Sequence, residues 1–384
     1  MRMGKMPENV LKRSVLRQIR TKSAEVAIGA GIGEDCAVFS YSGEGCLVTC
    51  MQEAEIATGP GVPAGITLAH LIQRCANNLA AGGAELKAVL IGLILPEAME
   101  EPELKRLMAE AEEKCASLSA QIAGGQTRTS GAVTAPIAVV TGYGRYFRET
   151  ERQPEPVRPG GRQEGMPPGQ STADGIGRAA QGQGAADNTA GTAQGQRAAD
   201  GIGKAAPGQD VVLSKWIGLE GTAILARRNR EKLLARYPSH LVEEAAGFDR
   251  YLSVVTEAAA AVKSGVCAMH DVSEGGIFGA LRELAEKAGV GLTIDVKKLP
   301  LRQETVEVCE CCRANPYELL SGGCLLMTAE DGPGLAAALK AEGIPATVVG
   351  KVTAGRERIL VNGGEVRYLD RAGQDAVYGS PSAD

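Results

Sequence analysis

One run, Ala268 to Leu281 (Ala-Met-His-Asp-Val-Ser-Glu-Gly-Gly-Ile-Phe-Gly-Ala-Leu), constrains this chain more than any other. A short apolar segment, Val266 to Met269, leads into polar residues suited to capping a helix. Two glycines follow, and Ile277, Ala280, Leu281, Leu284, Ala285 and Ala288 then repeat at the 3.6-residue period of a helix with one buried face. Gly289 stands where helices commonly end. The run therefore predicts a strand, a turn and a helix in succession. Such a turn leaves backbone N–H groups at a helix start, and with no side chain on Gly275 or Gly276 a phosphate can approach them. Asp271 and Glu274 beside it can hold a metal or handle a proton. The same residues also read as a plain strand-to-helix turn capped by Ser273.

Around this run, strands and helices alternate. Lys87 to Leu95 is a nearly continuous apolar stretch, the pattern of a strand buried on both faces. Helical spacing marks Ile66 to Ala81, a segment opened by Pro102, and Asp249 to Lys263. Further strands are expected at Cys46 to Cys50, after a hairpin turn at Ser42 to Gly45, and at Ala135 to Gly142, Val211 to Ser214, Gly291 to Val296 and Leu325 to Thr328. The fold class is α/β or α+β with a mixed sheet. The organisation expected is a first domain over residues 1–147 and a second over 210–384. Between them, residues 148–209 hold few large apolar side chains, and Gly-Gln recurs every 13 residues from 169 to 208. That composition cannot offset the entropy of ordering, so it reads as a disordered, expanded insertion.

The 384 residues carry a net charge of −5, which implies no general affinity for nucleic acid. No apolar run approaches the ~20 residues of a membrane span. Basic residues from Arg2 to Lys22 interrupt any signal-peptide core, and ten cysteines without a secretion signal suit a reducing cytoplasm. Cys309, Cys311 and Cys312 have no second cysteine pair or histidine nearby to complete a zinc site, and read as ordinary thiols. Lys215 and Trp216 can line a nucleotide edge or close a strand.

Four short segments, in this order, resemble the family of synthases related to aminoimidazole ribonucleotide (AIR) synthase, in its hydrogenase-maturation, HypE-like branch. They are Gly33-Glu34-Asp35-Cys36-Ala37-Val38, Asn77-Asn78-Leu79-Ala80-Ala81-Gly82-Gly83-Ala84, Gly124-Gly125-Gln126-Thr127 and Met269 to Gly276. The resemblance implies a two-domain PurM-like fold and a homodimer built through N-terminal mixed sheets. It also implies ATP held with Mg²⁺ in a cleft between the domains. Carried onto this sequence, Gly33, Glu34, Asp35, Asn78, Gly124, Gly125, Gln126, Thr127, Glu274, Gly275 and Gly276 would bind nucleotide. Asp35 and Asp271 would hold metal, and Asp271 and His270 would be catalytic. The chemistry implied is phosphorylation of an amide- or carbamoyl-type oxygen, on a small molecule or a protein tail, which turns a poor leaving group into phosphate.

Three places depart from the family pattern. Cys50-Met51-Gln52 stands where Thr-Thr-Asp is usual, Asn78 replaces an Asp, and Gln126-Thr127-Arg128 replaces His-Thr-Glu. A neutral amide is a poorer Mg²⁺ ligand than a carboxylate. The final residues, Gly379 to Asp384, lack the C-terminal cysteine on which HypE acts. Two readings follow: an ATP-dependent enzyme, or a catalytically degenerate dimeric scaffold or maturation partner that keeps the fold with weakened metal-ATP binding.

Overall fold

Two mixed sheets organise the chain. The computed structural model describes residues 8–21, 23–40, 46–58, 64–146, 203–370 and 375–378. The expected hairpin turn at Ser42 to Gly45 and nearly all of the 148–209 insertion lie outside the described residues.

After helix α1 (Glu8–Ser14), the first half runs β1 (Val26–Ile28), β2 (Cys36–Ser40), β3 (Cys46–Glu55), α2 (Leu68–Ala81), β4 (Ala84–Leu95), α3 (Glu101–Ser117), β5 (Gln121–Thr129) and β6 (Ile137–Tyr146). The sheet order is β1-β2-β3-β6-β4-β5, antiparallel except where β4 and β5 pair in parallel. Along β4 and β6 buried and accessible residues alternate, so one face packs under the helices and the other stays half open. The expectation of burial on both faces of β4 is thereby corrected: among the described residues, Leu90 and Ile94 stay partly accessible. Gly124 to Arg128 form part of β5, an edge strand.

In α2, Thr67 caps the helix and His70 returns the bond from its ring, a reciprocal arrangement that satisfies two backbone donors. Every residue from Leu71 to Ala81 is buried, polar ones included, because α2 is covered by its own sheet on one side and by the second half of the chain on the other.

The second half contains β7 (Asp210–Ser214), α4 (Leu219–Arg228), α5 (Arg230–Leu234), α6 (Ser239–Ala246) and α7 (Val255–Lys263). Next come β8 (Ala268–Val272), α8 (Gly276–Ala288), β9 (Gly291–Asp295), α9 (Gln303–Cys312) and β10 (Cys324–Ala329). The half closes with α10 (Gly332–Ala341), β11 (Ala346–Thr353), β12 (Arg358–Asn362) and β13 (Glu365–Tyr368). The sheet order is β13-β12-β9-β11-β7-β10-β8. β7, β8 and β10 are buried at every position, covered by helices on both faces. The helix expected over Asp249 to Lys263 is a single 3₁₀ turn, Phe248–Tyr251, followed by α7. The run at Cys309 to Cys312 ends α9, with Cys309 and Cys311 buried.

The halves share one apolar core. Leu71, Leu79 and Cys75 of α2 belong to the same cluster as Ile224, Leu225 and Val308 from the second half. The polar residues of α2 reach across too: Asn77 Nδ2 donates to Leu252 O at 2.8 Å, and its Oδ1 accepts from Val254 N at 3.1 Å. Among the described residues no helix is long and apolar enough to cross a membrane.

Candidate functional site

The turn leading into β2 brings Glu34 and Asp35 against α8, the helix after the central motif. Gly33 has a φ of 72°, and a Cβ there would lie 2.8 Å from the backbone oxygen of Glu283. Only a residue without a side chain allows that approach. Glu34 pairs with Lys287 at 2.8 Å. Behind these contacts lies a cavity of about 700 Å³, lined among others by Asp35, Asn78, Gly82, Lys204, His270 and Lys287.

His270 is buried on β8. Its Nδ1 lies 3.1 Å from Asp35 Oδ2 and its Nε2 lies 3.0 Å from Glu283 Oε2. Burial disfavours the imidazolium, but the two carboxylates outweigh it and hold the pKa at about 10. Both nitrogens therefore carry protons and donate, which leaves no lone pair to accept one. His270 clamps Asp35; it is not placed to act as a base.

Asp271 points to the opposite face of the strand. It is 2% exposed, and neither carboxylate oxygen has a hydrogen-bond partner among the described residues. Burial pushes its pKa up to about 7, with the Asp35 charge adding and His270 opposing. Close by, Arg74 in the middle of α2 donates through Nε and Nη2 to Glu220 Oε1, at 3.1 and 2.8 Å. The second Glu220 oxygen is buried without a hydrogen bond. Four carboxyl groups, those of Asp35, Glu220, Asp271 and Glu283, thus face two buried cations, Arg74 and His270. Within this cluster Asp271 is the carboxyl group with neither oxygen hydrogen-bonded among the described residues.

Among the described residues no three His, Cys, Asp or Glu side chains converge as a preformed metal site. Asp35 lines the cavity and Asp271 does not, though the Asp35 charge reaches it; a cation held by both would take its other ligands from phosphate and water. Mg²⁺ commonly binds in that way. Asn78 is buried beside them, with its backbone oxygen accepting from Cys36 Sγ at 3.4 Å.

The glycine turn is arranged differently from the simplest expectation. Gly275, not Ser273, is the N-cap of α8, with φ 85° and no side-chain cap. Its N–H donates to Asp375 Oδ2 at 2.9 Å, while Leu320 N and Val377 N donate to Asp375 Oδ1 at 3.2 and 3.0 Å. The chain's own carboxylate therefore sits where a phosphate was expected. Burial raises the Asp375 pKa, against these three bonds, to about 6. A Cβ on Gly276 would lie 2.5 Å from Tyr317 O, so packing already explains that glycine. Glu274 Oε2 accepts from Tyr378 Oη at 3.3 Å.

Of the residues expected to act together, Gly33, Glu34, Asp35, Asn78 and His270 line one cavity, with Asp271 behind His270. Gly124, Gly125, Gln126 and Thr127 lie on the exposed edge strand β5 and do not line it. Arg74, Glu283, Lys204, Lys287 and Asp375 were not anticipated. Arg74 carried a signal: it is the one Lys, Arg, Asp or Glu between Leu68 and Ala81. Glu283 carried none, because an acid on an amphipathic helix reads as solvated surface.

Comparison with known proteins agrees with this architecture. The N-terminal domain of AIR synthase related proteins matches residues 33–146, and their C-terminal domain matches residues 206–362. The carbamoyl dehydratase HypE of Rhodobacter capsulatus is 28% identical over 301 residues, 77% of this chain and 73% of that protein. The structure of a HypE–HypF complex superposes with a TM-score of 0.62 at 18% identity, covering 88% of this chain and 94% of the other. A HypE solved in complex with ATP gives 0.61 at 17% identity, covering 96% and 95%. At those identities the two structures speak for the fold alone.

Proposed function

Because the chain belongs to the AIR synthase related proteins, we propose that it is an ATP-dependent enzyme that phosphorylates an amide- or carbamoyl-type oxygen, using the cavity beside His270. The observation that carries this reading is Asp271, a buried carboxyl group with no hydrogen bond on either oxygen among the described residues, beside the charges of Asp35 and His270. A bound metal ion would offset the triphosphate charge there. Lys204 and Lys287 at the cavity wall favour entry of a polyphosphate. His270, held by Glu283, fixes Asp35 in place. Asp271 would be the second carboxylate for the cation, whose charge would hold it ionised despite the burial that otherwise raises its pKa to about 7. The HypE relative is named a carbamoyl dehydratase and another HypE was solved with ATP, which supports nucleotide and substrate class together.

We extend the reading to a homodimer of two-domain subunits, with domains at 1–147 and 210–384 and an insertion at 148–209. The exposed edge of β5 and the half-open face of the first sheet support it, since an unpaired strand edge is a template for a second chain. A second copy would also be what gives Gly124 to Thr127 a role.

One observation favours the scaffold reading instead. Asp375 already takes the Gly275 N–H, and Gln52 and Asn78 stand where carboxylates are usual. Phosphate release from Mg-ATP, measured with and without carbamoyl phosphate or a primary amide, separates the two. Turnover that falls by about a hundredfold or more in Asp271→Asn, the scale of losing a key electrostatic group, supports the enzyme. Wild-type protein that releases no phosphate under any of these conditions supports the scaffold.

A further inference from the structure

A second cavity, of about 440 Å³, opens at the other end of α2, between that helix, α3 and the second half of the chain. Its polar wall is His70, Gln73, Lys114, Arg227 and Asp249, and its remaining wall is small or apolar, including Ala57, Ala69 and Leu252. His70 and Asn78 are eight residues apart on one helix, about 12 Å of rise, so this cavity is separate from the one beside His270.

The charges there do not balance. Asp249 lies 3.4 Å from His70 Nε2, and both guanidinium nitrogens of Arg227 donate to it. Burial would raise the Asp249 pKa, but those bonds hold it at about 2, so it is an anion. His70 is neutral: its Nδ1 accepts the Thr67 N–H at 3.1 Å, which places its single proton on Nε2. Arg227 therefore neutralises Asp249, and the Lys114 ammonium is left over. Lys114 bonds only a neutral amide, Gln73 Oε1, among the hydrogen bonds at this cavity. Burial lowers its pKa, with Asp249 opposing. A half-buried ammonium with an amide for its partner, lining an open cavity beside an arginine, calls for an anion.

We propose that this cavity is an oxyanion site, in which Lys114 binds a phosphate or carboxylate group carried on a compact organic molecule. The volume exceeds what a bare ion needs, and the alanine and leucine wall accommodates a small apolar body. The occupant is distinct from the nucleotide of the other cavity, and the site stands whether or not that nucleotide is bound.

The test is calorimetric titration of the full chain with inorganic phosphate and, separately, with sodium acetate, at fixed ionic strength in chloride. Saturable binding of one or both is expected, and which of the two binds identifies the group. In Lys114→Met affinity should fall on the order of tenfold or more, as for the loss of a charge-assisted hydrogen bond. Lys114→Arg should retain most of it, which excludes misfolding as the cause. Lys287→Met, in the other cavity, should leave it unchanged. The proposal is overturned if neither anion binds saturably, or if binding survives Lys114→Met and is lost in Lys287→Met.

Discussion

In the second sheet β7, β8 and β10 bury every residue, whereas along β4 and β6 of the first sheet each buried residue is followed by an accessible one. The central strands of the second sheet have helices on both faces, although its edge strand β13 is exposed. The first has α2 and α3 over one face, a half-open opposite face and, in β5, an exposed edge. A sheet covered on one side keeps its alternation; one covered on both sides loses it. The difference locates what each half is for. The second half presents His270 and Asp271 from a strand buried at every position, and the first keeps an open sheet face. The charged cluster lies along their contact, which is why so many of its members come from α2, α4, α8 and the ends of strands.

The largest effect should separate the two sheets by stability. Leu326, fully buried on β10, should cost about 3 kcal/mol or more as Leu326→Ala, because a cavity remains behind it. Ile94→Ala, on the half-open face of β4, should cost under about 1 kcal/mol in a dilute, monomeric sample. Urea unfolding of both variants checks this, and equal losses would break the comparison.

The next effect is electrostatic and belongs to the contact between the halves. With a pKa of about 7 when folded, Asp271 keeps a proton that the unfolded chain releases near 4. The folded state therefore binds more protons between those values, and stability falls as pH rises through that window, then levels off. His270, raised to about 10, adds a second fall: its contribution is full below about 6.5 and is lost as pH rises towards 10. Asp271→Asn should remove the first slope only. Above pH 7 the variant should be more stable than the parent by roughly 2 kcal/mol or more, since each pKa unit is worth about 1.4 kcal/mol. Denaturant midpoints between pH 5 and 9 report it; a variant that is less stable at pH 8 contradicts the placement of Asp271.

The smallest effect on the fold should be the most telling for the first sheet. Gln126→Pro removes one N–H from the exposed edge strand β5 and should change monomer stability little. It should nevertheless shift sedimentation from dimer to monomer. Parent protein that sediments as a monomer at tens of micromolar would leave the open face unexplained.

Much of the architecture was legible because it rests on period. The helix of the central motif, its closing Gly289 and the strands around it follow from the spacing of apolar residues. β12 and β13 were missed because β13 is exposed throughout, so it carries no alternation to read. β5 was not expected as a strand, since its two glycines and its exposure leave few apolar residues to mark one. At the site, Asp35, His270 and Asp271 could be picked out by their neighbours in the sequence. Their electrostatics could not. The Glu283 contact that turns His270 into a clamp, and the Asp375 carboxylate on the Gly275 N–H, both come from segments remote in sequence. Long-range partners of this kind leave no local pattern.

The central claim is that the buried, unpartnered carboxylate of Asp271 serves a metal-bound nucleotide. Isothermal titration of Mg-ATP at pH 8, where Asp271 is mostly ionised, tests it most directly in the parent and in Asp271→Asn. The account predicts saturable binding to the parent and at least about tenfold weaker binding to the variant, the scale of one charge-assisted contact. Equal affinity in the two proteins, or no binding to either, would contradict it.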